Sequence, residues 1–83
     1  MAATYDRDQI RIALTQNDPA ISCYLDLETG TVVNIDERDS SPATEQLRNQ
    51  IMDGYGDRYR YIPGGNTGAD TDAVNSWLEA EGL

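Results

Sequence analysis

The alternation in Ile21-Ser22-Cys23-Tyr24-Leu25-Asp26-Leu27 constrains this chain more than any other segment. Ile21, Cys23, Leu25 and Leu27 fall on one side of an extended backbone, and Ser22, Tyr24 and Asp26 on the other. That period-two pattern is the mark of a strand with one buried face. Glu28-Thr29-Gly30 then reads as a three-residue connection, a type I turn closed by a left-handed residue in a G1 bulge, with Gly30 as that residue. Val32, Val33 and Ile35 supply the β-branched positions of a return strand. Asp26 is placed to accept hydrogen bonds from the turn amides or from Thr29. A hairpin over residues 20–27 and 31–35 follows.

Helical signals flank it. Asp6 suits an N-cap, with Gln9 three residues on as a capping-box partner. Tyr5 and Ile10 have the spacing of a hydrophobic staple. Ile10, Ala13 and Leu14 share one face, and Pro19 ends the pattern by pushing Asp18 out of helical geometry, so residues 5–16 are predicted to form a helix. After a polar loop from Asp36 to Pro42, Ser41 caps a second helix over 42–52. Pro42 stands in its first turn, and Ala43, Leu47, Ile51 and Met52 are its inner positions. Arg58-Tyr59-Arg60-Tyr61-Ile62 alternates as a third strand, and residues 63–68 read as a flexible loop. A last helix over 71–80, capped by Asp70 and ended by Gly82, presents Ala73, Val74, Trp77 and Leu78. The order α-β-β-α-β-α predicts a small single α+β domain over 1–83. Its short antiparallel sheet is packed by helices, its core is a thin two-layer one, and residues 1–4 are expected to be disordered. The sheet must manage exposed edges, by cover or by a second chain.

Charge narrows the function classes. Fifteen acids face six bases, all six are Arg, and the net charge is −9. The chain repels itself, and salt relieves that repulsion, so added KCl is expected to raise stability. The composition suits a salty cytoplasm, or a high-GC genome that prefers Arg codons. It argues against direct nucleic-acid binding, which calls for a basic stripe on the phosphates. No basic-then-apolar leader opens the chain and no apolar run reaches membrane length, which reads as a cytoplasmic protein without membrane contact.

The run Asp18-Pro19-Ala20-Ile21-Ser22-Cys23-Tyr24-Leu25-Asp26-Leu27-Glu28-Thr29-Gly30-Thr31-Val32-Val33, followed by Asp57-Arg58-Tyr59 and Ile62-Pro63, resembles the bacterial uncharacterised protein family 0158. The resemblance covers roughly residues 10–63. Cys23 stands where that family often has tyrosine, and the chain ends after the third helix, where family members usually continue. The resemblance implies a short member lacking the usual C-terminal part. It lends no catalytic residue to any position here.

Groups that carry chemistry are few. No His or Lys is present, and the single Cys23 lies on the apolar strand face, where a buried small hydrophobe is its plainer role. Asn66-Thr67-Gly68-Ala69-Asp70-Thr71-Asp72 alternates oxygen ligands as a calcium loop does, but Trp77 stands where the bidentate acid belongs. Gly64-Gly65-Asn66-Thr67-Gly68 before a helix lacks the Lys of a phosphate loop and is followed by two acids. Asp36, Glu37 and Asp39 read as a solvated loop rather than an ion site. No catalytic residue, metal ligand or cofactor is assigned, and the chain reads as a non-enzyme.

One basic and aromatic stripe remains. On a strand, Tyr59 and Tyr61 point to one face and Arg58 and Arg60 to the other. Tyr and Arg are common interface anchors, so Arg58, Tyr59, Arg60, Tyr61 and Tyr24, with Tyr55 extending the patch, form the candidate partner surface. The plainer alternative has the tyrosines packed on a helix and the arginines paired with acids. The expected function is protein contact, with an unidentified partner or as a homodimer through a sheet edge or this strand. A nucleic-acid mimic that fills a basic groove is the alternative, and a carboxylate-based metal hydrolase a weaker one.

Overall fold

A computed structural model describes residues 4–83. The elements are α1 (Arg7–Thr15), β1 (Ile21–Asp26), β2 (Val32–Asp36), α2 (Pro42–Asp53), β3 (Tyr59–Ile62) and α3 (Thr71–Ala80). The three strands form one antiparallel sheet in the order β2-β1-β3. The α+β architecture and the element order match the sequence reading. The expected disorder of residues 1–3 lies outside the described residues. The Thr4 carbonyl lies against Gly30.

The core has three layers rather than two. On one side of the sheet Cys23, Leu25 and Ile62 meet Ile10, Ala13 and Leu14 of α1 and Val74 and Leu78 of α3. On the other side Ile35 and Tyr59 meet Ile51 of α2, with Tyr24, Val33 and Leu47 packed around them. Alternation along β1 sends odd residues to the first cluster and even residues to the second. The inner face of α2 is narrower than expected: Ala43 is exposed and Met52 is 63% exposed, leaving Leu47 and Ile51 to pack.

The caps form where the sequence places them. Asp6, Ser41 and Asp70 accept from the amides of Gln9 (3.1 Å), Thr44 (3.4 Å) and Ala73 (3.0 Å). The reciprocal half of the capping box at Asp6 is replaced by tertiary bonds. The Asp6 amide donates to the Gly30 carbonyl at 2.7 Å. The Gln9 side chain instead accepts from the Val32 amide at 2.9 Å.

The hairpin connection has four residues, not three. The Gly30 amide donates to the Asp26 carbonyl (2.8 Å) and the Asp26 amide to the Thr31 carbonyl (2.9 Å), so Leu27 joins the loop. Its amide leaves the hairpin for the Arg58 carbonyl at 2.7 Å, which extends the β1–β3 pairing. Gly30 has φ 76°, and a Cβ there would meet the Thr4 carbonyl oxygen at 2.2 Å, so both conformation and space exclude a side chain. The loop over 63–68 is docked rather than free. The amides of Gly65 and Asn66 satisfy the carbonyls of Gln16 (2.6 Å) and Leu14 (2.9 Å) at the end of α1. A Cβ on Gly64 would come within 2.4 Å of the Gln16 carbonyl oxygen.

Candidate functional site

The sheet places the five stripe residues in very different surroundings. Tyr59 is a core residue at 1% exposure, so it cannot anchor a partner. Its ring lies in the α2-side cluster, and its hydroxyl accepts from the Gln50 side chain at 2.8 Å. Gly54 at the end of α2 leaves room for that ring, since a Cβ there would stand 3.1 Å from it.

Arg58 is equally occupied. It grips the buried carboxylate of Asp26 through two nitrogens at 3.0 and 2.9 Å, reaches Glu28 at 3.4 Å, and lies 5.1 Å from the centre of the Tyr59 ring. That fork-on-carboxylate geometry is the strong form of an ion pair. It holds the Asp26 carboxyl below its usual range against the opposing effect of burial, helped by the Glu28 amide at 2.9 Å. The same bond keeps Arg58 charged. Arg60 is spent on backbone carbonyls, those of Gly56 (3.1 Å) and Glu81 (2.9 Å), and so ties the end of α3 to β3.

Tyr61 and Tyr24 remain, with Tyr55 beside them. Tyr24 and Tyr61 stand opposite one another across β1 and β3. Their rings meet edge to face with centres 5.6 Å apart, and Tyr55 meets Tyr24 from the other side at 6.4 Å. Tyr55 is 49% and Tyr61 45% exposed, while Tyr24 between them is half-buried. Burial, with Glu37 and the neighbouring phenols, raises the Tyr24 pKa, so that phenol stays neutral. An open groove of about 390 Å³ adjoins Tyr61, lined also by Asp18, Pro19, Ile21, Ser22 and Gly64.

The other sequence candidates are taken up locally. Asp36 binds Arg38, Glu37 lies 3.6 Å from Arg48, and Asp39 accepts from Ser41 and Thr44. Asp70 caps α3. Among the described residues no group of three or more His, Cys, Asp or Glu is gathered to hold a metal ion. Cys23 is 4% exposed, and burial pushes its thiol pKa up. No helix among the described residues is long and apolar enough to cross a membrane.

Sequence reasoning missed which tyrosine is covered. Tyr59 and Tyr61 share a residue type, a strand and a face, and only the position of α2 separates them. The Gly54-Tyr55-Gly56 turn offered a signal. It leads directly into β3, so Tyr55 had to lie near Tyr59, with which it forms a bridge. No protein-family model, curated protein or solved structure matches the chain.

Proposed function

We propose that this chain is a non-enzymatic interaction domain that docks a protein partner on the surface formed by Tyr24, Tyr55 and Tyr61. The observation that carries the reading is the pair of half-exposed tyrosines held against Tyr24 on the sheet face that α2 leaves open. Rigid aromatic rings with a polar tip give large contact area at low entropic cost, which is why Tyr anchors interfaces. The surrounding charge selects a cationic partner, because the chain carries −9 and five of its six arginines are bonded to acids, carbonyls or Asn75.

The acids support this reading over a nucleic-acid mimic. A mimic gathers carboxylates on one face, whereas Asp8 on α1, Glu45 on α2 and Asp72 on α3 occupy helices on both sides of the sheet. That scatter also suits a salt-adapted cytoplasmic chain. We retain membership of uncharacterised protein family 0158 as a proposal resting on residues 10–63, and it adds no activity.

The test is the double variant Tyr55→Ser and Tyr61→Ser. Wild type should capture a defined basic partner from host lysate at matching salt, and the folded double variant should not. Unchanged capture, or a wild type that only pairs with itself, would sink the proposal.

A further inference from the structure

We infer a second, separate binding site at the free edge of β2, where an extended cationic segment of a partner adds a fourth strand and inserts an apolar side chain beneath it. The backbone carries the first half of the argument. Cys23 faces Asn34 in the register, and Cys23 also faces Ile62 across β3. The Leu27 amide bonds the Arg58 carbonyl, and antiparallel pairs alternate, so the odd residues of β1 bond to β3. Asn34 therefore sits in a non-bonded pair with β1. Its N–H and C=O both point out of the sheet, and no hydrogen bond claims either among the described residues.

The flanks of this opening are plugged, and the other outward pair left unclaimed among the described residues is that of Tyr61 on β3, opposite Tyr24. The Val32 amide is taken by the Gln9 side chain, and the Asp36 carbonyl by the Asp39 amide. On β3 the Gly54–Gly56 turn holds both the amide and the carbonyl of Tyr59. Such plugs are how a soluble sheet avoids pairing at random. The opening at Asn34 has plugs on both sides, which limits what can add there to a short strand.

The second half is what lies under that opening. A pocket of about 150 Å³ runs between α1 and β2, with Ala13 and Cys23 in its floor, Ile12 and Val32 on its walls, and Gln9 and Asn34 at its rim. Ile12 is 57% exposed beside it, an aliphatic side chain left in water on the helix that borders the edge. Side chains of an added strand alternate, so one set drops onto the α1 face, where the pocket has room for a residue of Val or Leu size. Strand addition of this kind takes affinity from main-chain bonds and specificity from the pocket. A second copy of the chain fits poorly, because two −9 bodies repel, while a basic segment is drawn in. The site lies across the sheet from the tyrosine surface and stands independently of it.

The experiment titrates the whole labelled chain with a capped octapeptide alternating Lys and Val, read by amide NMR shifts and exchange. A Lys–Ser peptide of equal charge serves as control. The expected result is new protection at the Asn34 amide, shifts at Gln9 and Ile12, and binding of the control weaker by about tenfold or more. Asn34→Pro should abolish the peptide-induced shifts at Gln9 and Ile12 and keep the fold, because proline removes an outward donor that the added strand needs. Ile12→Glu, at an exposed helical position, should weaken binding about fivefold and covers the case in which the proline variant does not fold. Four results would overturn the site. These are equal binding of both peptides, shifts confined to Tyr24, Tyr55 and Tyr61, no binding at millimolar peptide, or Asn34 protection that grows with protein concentration alone.

Discussion

The two faces of the sheet are built from one strand and come out differently. The odd residues of β1, Cys23 and Leu25, are sealed under two helices among aliphatic side chains. Its even residue Tyr24 faces a single helix that covers Ile35 and Tyr59 and stops short of Tyr61. A half-covered face needs side chains that tolerate water at one end, and tyrosine does so where leucine would not. The composition follows from the layering: aliphatic residues where cover is double, phenols where it is partial. The closed face holds most of the aliphatic core, and the open one leaves the rings of Tyr55 and Tyr61 half in water.

The largest effect should come from breaking the closed face. Leu25 is fully buried, and Leu25→Ala should cost about 3–4 kcal/mol in transfer and cavity terms. A chain of this size has a stability on the order of 5 kcal/mol, so the variant should be largely unfolded at modest urea. Val33→Ala on the half-covered face should cost about 1 kcal/mol, because its methyls are partly in water already. Equal losses in urea titrations would erase the distinction between the faces.

Next in size is the ion pair beside the hairpin loop. Arg58→Gln leaves the Asp26 carboxylate buried without its cation. The penalty for breaking a buried pair, discounted because Arg58 is about a third exposed, is about 2 kcal/mol. The pH dependence has a definite sign. The folded Asp26 pKa lies below its unfolded value of about 3.9, so the contribution is complete above that pH and is lost as pH falls through the folded value. Wild type should hold its stability to near pH 4. Arg58→Gln should begin to gain from protonating Asp26 at higher pH, flattening its acid limb. Parallel acid limbs for the two proteins would mean that the pair contributes nothing.

Local chemistry was legible in the sequence, and long-range choice was not. Asp6, Ser41 and Asp70 act as caps because capping needs only a neighbour three residues away. Gly30 was identifiable because its turn geometry is local. Asp26 was assigned to the turn amides, and it does accept from Glu28, but its main partner Arg58 is 32 positions away and has no signature in the spacing. The docking of residues 63–68 on the end of α1 was hidden for the same reason. The stripe over 58–61 was visible as a pattern, yet periodicity states only which residues share a face. Whether that face is covered depends on where α2 lands, and that divided Tyr59 from Tyr61.

The smallest effect separates structure from binding on the open face. Tyr61→Ser removes a ring that is already 45% exposed and forfeits one edge-to-face contact, worth about 0.5–1 kcal/mol. Tyr59→Ser, one turn of the alternation away, empties a site in the core and should cost several times more, about 3 kcal/mol. Fluorescence-monitored urea curves would measure both. If Tyr61 were a structural residue, the two losses would converge. If it is a contact residue, Tyr61→Ser should leave the midpoint nearly unmoved while partner capture falls, because the ring's remaining apolar area finds its cover only in the complex.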